Sequence, residues 1–246
     1  KDKVMMGAER KSMVMSEAEK KMTAYHEGGH ALVSLYNPAS DPIHKATIIP
    51  RGRALGMVMR LPEADKLSYL REKMIADLAV SMGGRVAEEI IFGHDKVSSG
   101  ASSDIKYATK LARAMVTEWG MSDTSGPIFY GNEQSGEVFL GYSMGQPSTA
   151  VSEQMANTID AEVKRFVEEA HQQATRILTD HLDELHIISK ALLEYETLTG
   201  DEIKALIKGE AIRSPDESSE RKAAPARSSL PSSRTRKTDE QPPAGA

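Results

Sequence analysis

Two histidines lie four residues apart in this sequence, His26 and His30, and Glu27 directly follows the first. In an α-helix, side chains at positions i and i+4 lie one turn apart on the same face. Two imidazole nitrogens can then reach one zinc ion, while the glutamate projects toward the position that the protein leaves open. The pattern therefore predicts a helix, with His26 and His30 as metal ligands and Glu27 as the base that accepts a proton from the attacking water.

The residues around this motif indicate a packed helix rather than a solvated one. Met22, Leu32 and Val33 make the segment mostly apolar. Burying two histidines and a glutamate in such surroundings is costly unless the polar groups have partners. Gly28 and Gly29 each cost about 1 kcal/mol in a helix relative to Ala, which indicates that something approaches the backbone closely there.

A catalytic zinc ion has three protein ligands and one water in most enzymes, so a third ligand must come from elsewhere. The chain contains no cysteine, which excludes thiolate ligands and disulfides. The other histidines are isolated in the sequence. Two acidic alternatives remain: the pair Glu88-Glu89, and Asp104 in the first turn of a predicted helix. The spacing alone leaves both open.

The hydrophobic pattern predicts a mainly α-helical chain with a small β element. Ser16 and Glu19 have the spacing of a capping box, Gly83-Gly84 suggests a break between two helices, and Gly120 is a suitable C-terminal cap. Residues 121–147 are expected to form loops with weak strands at 128–130 and 138–140. Helices are expected over 16–36, 66–82, 85–92, 102–119, 152–179, 182–195 and 201–208, and a β-hairpin over 43–50 and 55–61.

Composition divides the chain into three parts. Residues 1–15 are basic and rich in Met, which is typical of a linker after a preceding domain. Residues 16–212 carry the periodic apolar pattern of a folded domain. Residues 213–246 contain seven Ser and five Pro, with Leu230 as the one large apolar residue, which predicts a disordered tail. Because the sequence does not begin with Met, we expect a fragment of a longer protein.

The overall charge and hydropathy exclude some partners. Lys and Arg number 31 against 36 Asp and Glu, a formal net charge of −5, so a broad nucleic-acid-binding surface is not expected. No stretch reaches the roughly 18 apolar residues that a membrane-spanning helix needs.

Several stretches of the sequence resemble the FtsH family, the bacterial membrane-anchored AAA+ metalloproteases. The resemblance extends over roughly residues 1–212 and includes the H-E-x-x-H motif. The stretches that carry it are Thr23–Ala31, Asp41–Lys45, Ile48–Gly52, Gly83–Ile90, Ser99–Ile105 and Met115–Ser122.

This resemblance implies a set of site residues. His26, His30 and Asp104 would be the zinc ligands, with one zinc per chain, and Glu27 would be the catalytic base. Glu88 matches a carboxylate near the site that would orient a ligand imidazole. The fold implied is a helical zinc-peptidase domain of the HExxH type.

The resemblance also implies partners for a longer parent protein. An ATPase module would precede the peptidase, with residues 1–15 as its end and a linker, and ATP would bind only there, because this chain has no G-x-x-x-x-G-K-[ST] motif. The parent would be a homo-hexamer of the cell inner membrane, with the peptidase on the cytoplasmic side. It would degrade unfolded or misassembled membrane and cytoplasmic proteins.

Two further expectations concern substrate and function. An extended polypeptide would add as a strand to the exposed edge of Ala54–Arg60. The competing hypothesis is a helical ring-assembly module whose zinc site is not catalytic. Glu27 distinguishes the two, since a structural zinc site has no use for a carboxylate beside an open metal position.

Overall fold

A computed structural model of the chain describes residues 15–52, 54–62, 68–130 and 151–212. Within these ranges the fold is mainly helical with one small sheet, which confirms the predicted fold class. Two 3-10 turns, His94–Lys96 and Ser99–Ala101, precede the third helix. The helices and strands are α1 (Glu17–Leu35), β1 (Ile43–Thr47), β2 (Met57–Arg60), α2 (Arg71–Phe92), α3 (Ser102–Thr117), α4 (Glu153–Asp180), α5 (Leu182–Tyr195), β3 (Thr197–Thr199) and α6 (Gly200–Ile207).

Helix α1 begins with the predicted capping box. The Glu19 amide donates to Ser16 Oγ at 3.2 Å, and the Ser16 amide donates to Glu19 Oε2 at 2.8 Å. This reciprocal pair satisfies backbone donors that the first turn of a helix leaves without partners. From Thr23 to Ser34 the helix is almost entirely buried, which places its two histidines inside the domain.

Helix α2 runs without interruption through Gly83 and Gly84, so the predicted break is wrong. The glycines serve close packing instead. A Cβ on Gly29 would lie 2.3 Å from the Gly83 carbonyl oxygen, and a Cβ on Gly83 would lie 2.8 Å from the Gly29 oxygen. The helix also begins at Arg71, later than predicted. Gly29 and Gly83 therefore let the backbones of α1 and α2 come into contact.

The predicted hairpin is present with shorter strands, β1 and β2, which pair antiparallel. Strand β3, which no sequence pattern predicts, pairs antiparallel with the other side of β1. The order in the sheet is β2-β1-β3, so β2 is an edge strand within the described residues. Thr47 joins all three strands in register, opposite Met57 on one side and Thr197 on the other.

The later helices follow the predictions closely. Helix α3 ends at Thr117, two residues early, and Gly120 then adopts a positive φ of 59° while the Met121 amide donates to the Met115 oxygen at 2.8 Å. Helix α4 begins at Glu153, one residue after the predicted start, and Ser152 caps it. Residues 128–130 are not a strand, contrary to expectation, and residues 138–140 lie outside the described ranges.

One hydrophobic core joins these elements. Helix α1 packs against α2 and α5, and α2 packs in turn against α3 and α4. Leu32, Leu78, Met115 and Leu178 are among its fully buried side chains. None of the helices in the described part of the chain combines the length and the apolar character that crossing a bilayer requires. The predicted linker and tail, 1–15 and 213–246, lie outside the described residues except for Met15.

Candidate metal centre

The structure brings His26, His30 and Asp104 together although Asp104 is more than 70 residues away in sequence. Helix α1 places the two histidines one turn apart, and their Nε2 atoms are 3.1 Å from each other. Asp104 stands in the first turn of α3, and its Oδ2 lies 3.4 Å from His26 Nε2 and 3.6 Å from His30 Nε2. Three potential ligand atoms therefore converge on one point.

The opposite nitrogen of each imidazole is held by the protein. His30 Nδ1 lies 2.7 Å from the Val80 carbonyl oxygen, and His26 Nδ1 lies 2.8 Å from Glu88 Oε1. A carbonyl oxygen and a carboxylate oxygen can only accept, so each Nδ1 carries the proton and donates. In a neutral imidazole this leaves the Nε2 lone pair available, as metal ligation requires.

These distances fit a tetrahedral zinc ion. Ligands at the usual 2.0–2.2 Å from zinc lie about 3.3–3.6 Å from one another. The three separations in this cluster are 3.1, 3.4 and 3.6 Å. Two histidines and one carboxylate also form a donor set typical of catalytic zinc.

His26 binds a proton strongly when no cation lies between these groups. Burial disfavours a charged imidazole, but hydrogen bonds to Asp104 and Glu88 outweigh it and raise the pKa of His26 to about 10. Burial likewise disfavours the charged carboxylate of Asp104, yet His26 and His30 lower its pKa well below the usual range. A metal ion must displace the extra proton of His26, so metal binding weakens in acid.

Glu27 lies beside the cluster without joining it. Its residue surface is only 6% exposed. Burial raises the pKa of Glu27, against the attraction of His30 and His26. Gly56, directly before β2, lies against this side chain, since a Cβ there would come within 2.6 Å of Glu27 Oε1. The carboxylate therefore sits between the histidines and the start of the edge strand.

Glu88 is placed on the far side of His26, away from the point where the three ligand atoms meet. It is 1% exposed, and besides His26 it accepts from Ser98: the Ser98 amide donates to Oε2 at 2.6 Å and the hydroxyl to Oε1 at 3.0 Å. Ser98 also caps the 3-10 turn that leads into α3. The alternative acid Glu89 instead pairs with Arg85 at 2.7 Å and His171 at 3.1 Å.

Sequence reasoning missed the residues that shape this cluster. A Cβ on Gly84 would lie 2.5 Å from His26 Nε2 and 2.6 Å from His30 Nε2, so only glycine leaves room for both rings. The sequence does signal an unusual position here, because the Gly83-Gly84 pair predicts a helix break. Nothing in the sequence pointed to the Val80 carbonyl or to Ser98.

Comparison with known proteins decides the family. Residues 13–206 match Peptidase family M41. The chain belongs to peptidase family M41. Membership confirms the expected family. It also confirms the predicted peptidase over the competing hypothesis, a helical ring-assembly module whose zinc site is not catalytic.

Relatives of this M41 chain are similar over most of its length. Proteins named "ATP-dependent zinc metalloprotease FtsH" are 62% identical over 209 residues in Caulobacter vibrioides and 60% identical over 217 residues in Rickettsia bellii. These matches cover 85% and 88% of this chain but 33% of each relative. A third, from Neorickettsia risticii, is 57% identical over 85% of this chain and 31% of its own length. The chain thus spans about a third of the relatives it matches.

Proposed function

We propose that this chain is the zinc-dependent endopeptidase domain of a larger ATP-dependent protease that degrades unfolded or misassembled proteins. One observation carries the proposal. Three ligand atoms, from His26, His30 and Asp104, meet at zinc-like separations beside the buried carboxylate of Glu27.

Each residue has a separate role in this proposal. His26, His30 and Asp104 hold one zinc ion per chain, and Glu88 orients the His26 imidazole. Zinc held there would supply Lewis-acid chemistry for the scissile carbonyl and for the attacking water. Glu27 accepts the proton of the attacking water and delivers it to the leaving amine nitrogen. Its raised pKa suits it to both transfers.

The substrate is an extended polypeptide that pairs with β2. Within the described residues the outer edge of β2 has no strand beside it. Gly56, the residue directly before its start, lies against Glu27. A strand added there would pass the catalytic carboxylate, held by main-chain hydrogen bonds that depend little on sequence.

We also propose an ATPase module, an oligomeric state and a location for the longer protein. The relatives are named ATP-dependent, and this sequence has no P-loop, so we assign ATP binding to a separate ATPase module. We also propose a homo-hexamer at the cell inner membrane, with the peptidase on the cytoplasmic side and the membrane contacts made outside this chain.

The decisive experiment separates zinc binding from catalysis. The zinc-loaded chain should hydrolyse an unfolded polypeptide, a chelator should abolish the activity, and added zinc should restore it. Glu27→Gln should lose hydrolysis by several orders of magnitude while keeping about one zinc per chain, because Glu27 acts on water and is not a ligand.

Glu17→Gln is the matched control, since Glu17 lies on the same helix with its side chain 90% exposed. It should keep both zinc and activity. Loss of zinc from Glu27→Gln would make Glu27 a ligand and contradict the assigned role. Chelator-resistant hydrolysis would contradict the proposed function.

A further inference from the structure

Strand β2, the proposed edge for the substrate, is held only weakly by its pairing in the sheet. It has four residues, Met57–Arg60, all of them half-buried. Within the described residues it pairs with β1 on one side and with no strand on the other. The register of that pairing is irregular between Ile43 and Lys45, and Ile43 is the partner of Arg60. A short edge strand with an irregular ladder is marginally stable, so other contacts must hold its end.

Arg60 makes such a contact from the last residue of β2. Its Nη1 donates to Asp77 Oδ1 on α2 at 2.6 Å, and to Ser40 Oγ, in the segment between α1 and β1, at 3.1 Å. The side chains of Arg60 and Asp77 are 20% and 14% exposed, so salt and water screen this pair less than a pair on the open surface. The end of β2 is therefore tied to α2.

Asp77 also binds a second cation. Lys73, one turn earlier on α2, donates to Asp77 Oδ2 at 2.5 Å and lies 3.1 Å from Asp41 Oδ2. Each carboxylate oxygen of Asp77 thus accepts from a different cation. The four residues form a chain of two cations and two carboxylates, which we call the β2 clamp: Arg60, Asp77, Lys73 and Asp41. Asp77 lies at its centre, in contact with both cations.

The part of α2 that carries Asp77 also orients a ligand of the candidate metal centre. Val80 lies three residues after Asp77, about 4.5 Å along the helix axis, and its carbonyl accepts from His30 Nδ1 at 2.7 Å. At the other end of β2, Gly56 lies against Glu27. The β2 clamp therefore fixes the edge strand to the same stretch of helix that fixes the imidazole.

We propose that Asp77 is a positioning residue of the peptidase. Through Arg60 it holds the far end of β2 at a fixed place relative to the metal centre, so that a substrate paired along the whole strand passes Glu27 in register. Asp77 does not touch the substrate and acts only through Arg60. This inference rests on the proposed peptidase function and identifies what aligns the strand on which the substrate lies.

The length of β2 gives this role a measurable consequence. A strand advances about 3.3 Å per residue, so Arg60 lies about 13 Å beyond Gly56. A peptide that extends about four residues from the scissile bond along β2 pairs with the clamped end, whereas one that extends about one or two residues pairs only with the start. Loss of Asp77 should therefore weaken the binding of the long peptide alone.

The first test compares such long and short peptides, all uncharged and unfolded, with the zinc-loaded chain. The long peptides are extended on one side or the other of the scissile bond, and one of these sides pairs with β2. Asp77→Asn keeps the size of the side chain and leaves Lys73 its contact with Asp41. We expect KM of the long peptide to rise about tenfold with kcat and zinc content unchanged, while the short peptide keeps the wild-type kcat/KM.

Asp160→Asn is the matched control, because it removes an aspartate that pairs with an arginine, Arg113, at an exposed position of α4. It should change neither KM nor zinc content. If Asp77→Asn raised KM for long and short peptides alike, or lost zinc, its role would be general support of the fold and the proposal would be overturned.

A double-mutant cycle tests whether Asp77 acts through Arg60. Arg60→Met removes the guanidinium and keeps an apolar stem, and Asp77 then retains Lys73. Each single substitution should raise KM of the long peptide about tenfold, and the double substitution no more than about twofold further, since both break the same contact. Effects that multiply to about 100-fold, or an effect of Arg60→Met alone, would place Arg60 in direct contact with the substrate and overturn the role of Asp77.

The last test does not depend on hydrolysis. In Asp77→Asn, the β2 amides that bond to β1 should exchange with deuterium about tenfold faster than in the wild type, while amides of α1 keep their rates. Asp160→Asn should alter neither set. Hydrolysis of both peptides together with unchanged β2 exchange would reject the positioning role and leave the peptidase function intact. Faster β2 exchange without any hydrolysis by the wild type would instead reject the peptidase function.

Discussion

At the scale of single residues, each histidine of the centre divides its two nitrogens between two tasks. Nδ1 of His30 donates to the Val80 carbonyl and Nδ1 of His26 to Glu88, which turns both Nε2 atoms toward Asp104. Such outer hydrogen bonds fix the tautomer and the orientation of a ligand ring. Asp104 and Glu88 therefore act on opposite sides of the same imidazole.

Because Asp104 and Glu88 act on opposite sides of His26, conservative substitutions of the two should reduce zinc affinity by different amounts. Asp104→Asn should weaken zinc binding strongly, because a neutral amide is a poorer ligand than a carboxylate. Glu88→Gln should be milder, about 10–100-fold, since one oxygen remains to accept from either His26 or Ser98. Competition with a chromogenic chelator measures both affinities.

Glu89→Gln is the control for this pair, because Glu89 bonds to Arg85 and His171 rather than to the cluster. It should leave zinc affinity unchanged. If Glu88→Gln lost more zinc than Asp104→Asn, Glu88 would become the third ligand.

At the scale of elements, glycines have two separate roles where helix α1 packs across helix α2. Gly29 and Gly83 allow backbone contact, whereas Gly84 leaves space for the two imidazoles. An added methyl group would meet rigid backbone in the first case and the ends of movable side chains in the second. The contact between α1 and α2 thus links the packing of the core to the shape of the candidate metal centre.

Two alanine substitutions should separate these functions. Gly29→Ala should destabilise the fold by about 1–3 kcal/mol or more, because a methyl group 2.3 Å from the Gly83 oxygen forces the helices apart. Gly84→Ala should keep a near-wild-type unfolding midpoint when both proteins are free of zinc, but it should lose zinc binding, because the rings must swing away. Thermal unfolding and zinc content, measured together on both variants, test this, and an equal loss of stability in Gly84→Ala would contradict it.

Glu162 on α4 forms a hydrogen bond that anchors Ser122, in the segment after α3. Ser122 Oγ donates to its Oε2 at 2.5 Å, and Arg165 donates to both carboxylate oxygens at 2.8 and 2.9 Å. The hydrogen bond from Arg165 is the main cause that lowers the pKa of Glu162 from 4.5 to about 2, against the effect of burial. Because the folded-state pKa is lowered, the ionised group stabilises the fold above pH 4.5, and this stability is lost as the pH falls toward 2.

Glu162→Gln should therefore lower the free energy of unfolding by roughly 1–3 kcal/mol at pH 7. The difference from wild type should stay constant down to about pH 5 and shrink below pH 4.5. Urea unfolding at a series of pH values measures it. Glu168→Gln, at an exposed position of the same helix, should show no such difference, and a gap that widened in acid would contradict the assignment.

At the scale of the whole molecule, the described residues contain a centre suited to cutting peptides, but the sequence has no P-loop to drive unfolding. The zinc-loaded chain should cleave an unfolded polypeptide but cut a stably folded protein slower by about 10³-fold or more, the ratio set by the fraction unfolded at equilibrium. ATP should change neither rate. A folded substrate and its denatured form, compared side by side, test this, and rapid cleavage of the folded form would contradict it.

Local sequence was sufficient where local chemistry decides the structure. The capping box at Ser16 and Glu19, the start of α4 to within one residue and the bounds of α5 depend on neighbours in the chain, and all were predicted. The helical placement of His26 and His30 follows from their spacing in the same way.

Tertiary contacts decided the rest. Spacing could not choose between Glu88 and Asp104, because both are acids on helices, and only packing of α2 and α3 around α1 puts one on each side of His26. Gly83 and Gly84 looked like a break because glycine weakens an isolated helix, but contact with α1 outweighs that local cost. Strand β3 is three residues long, too short for any periodic pattern, and exists because β1 lies beside it.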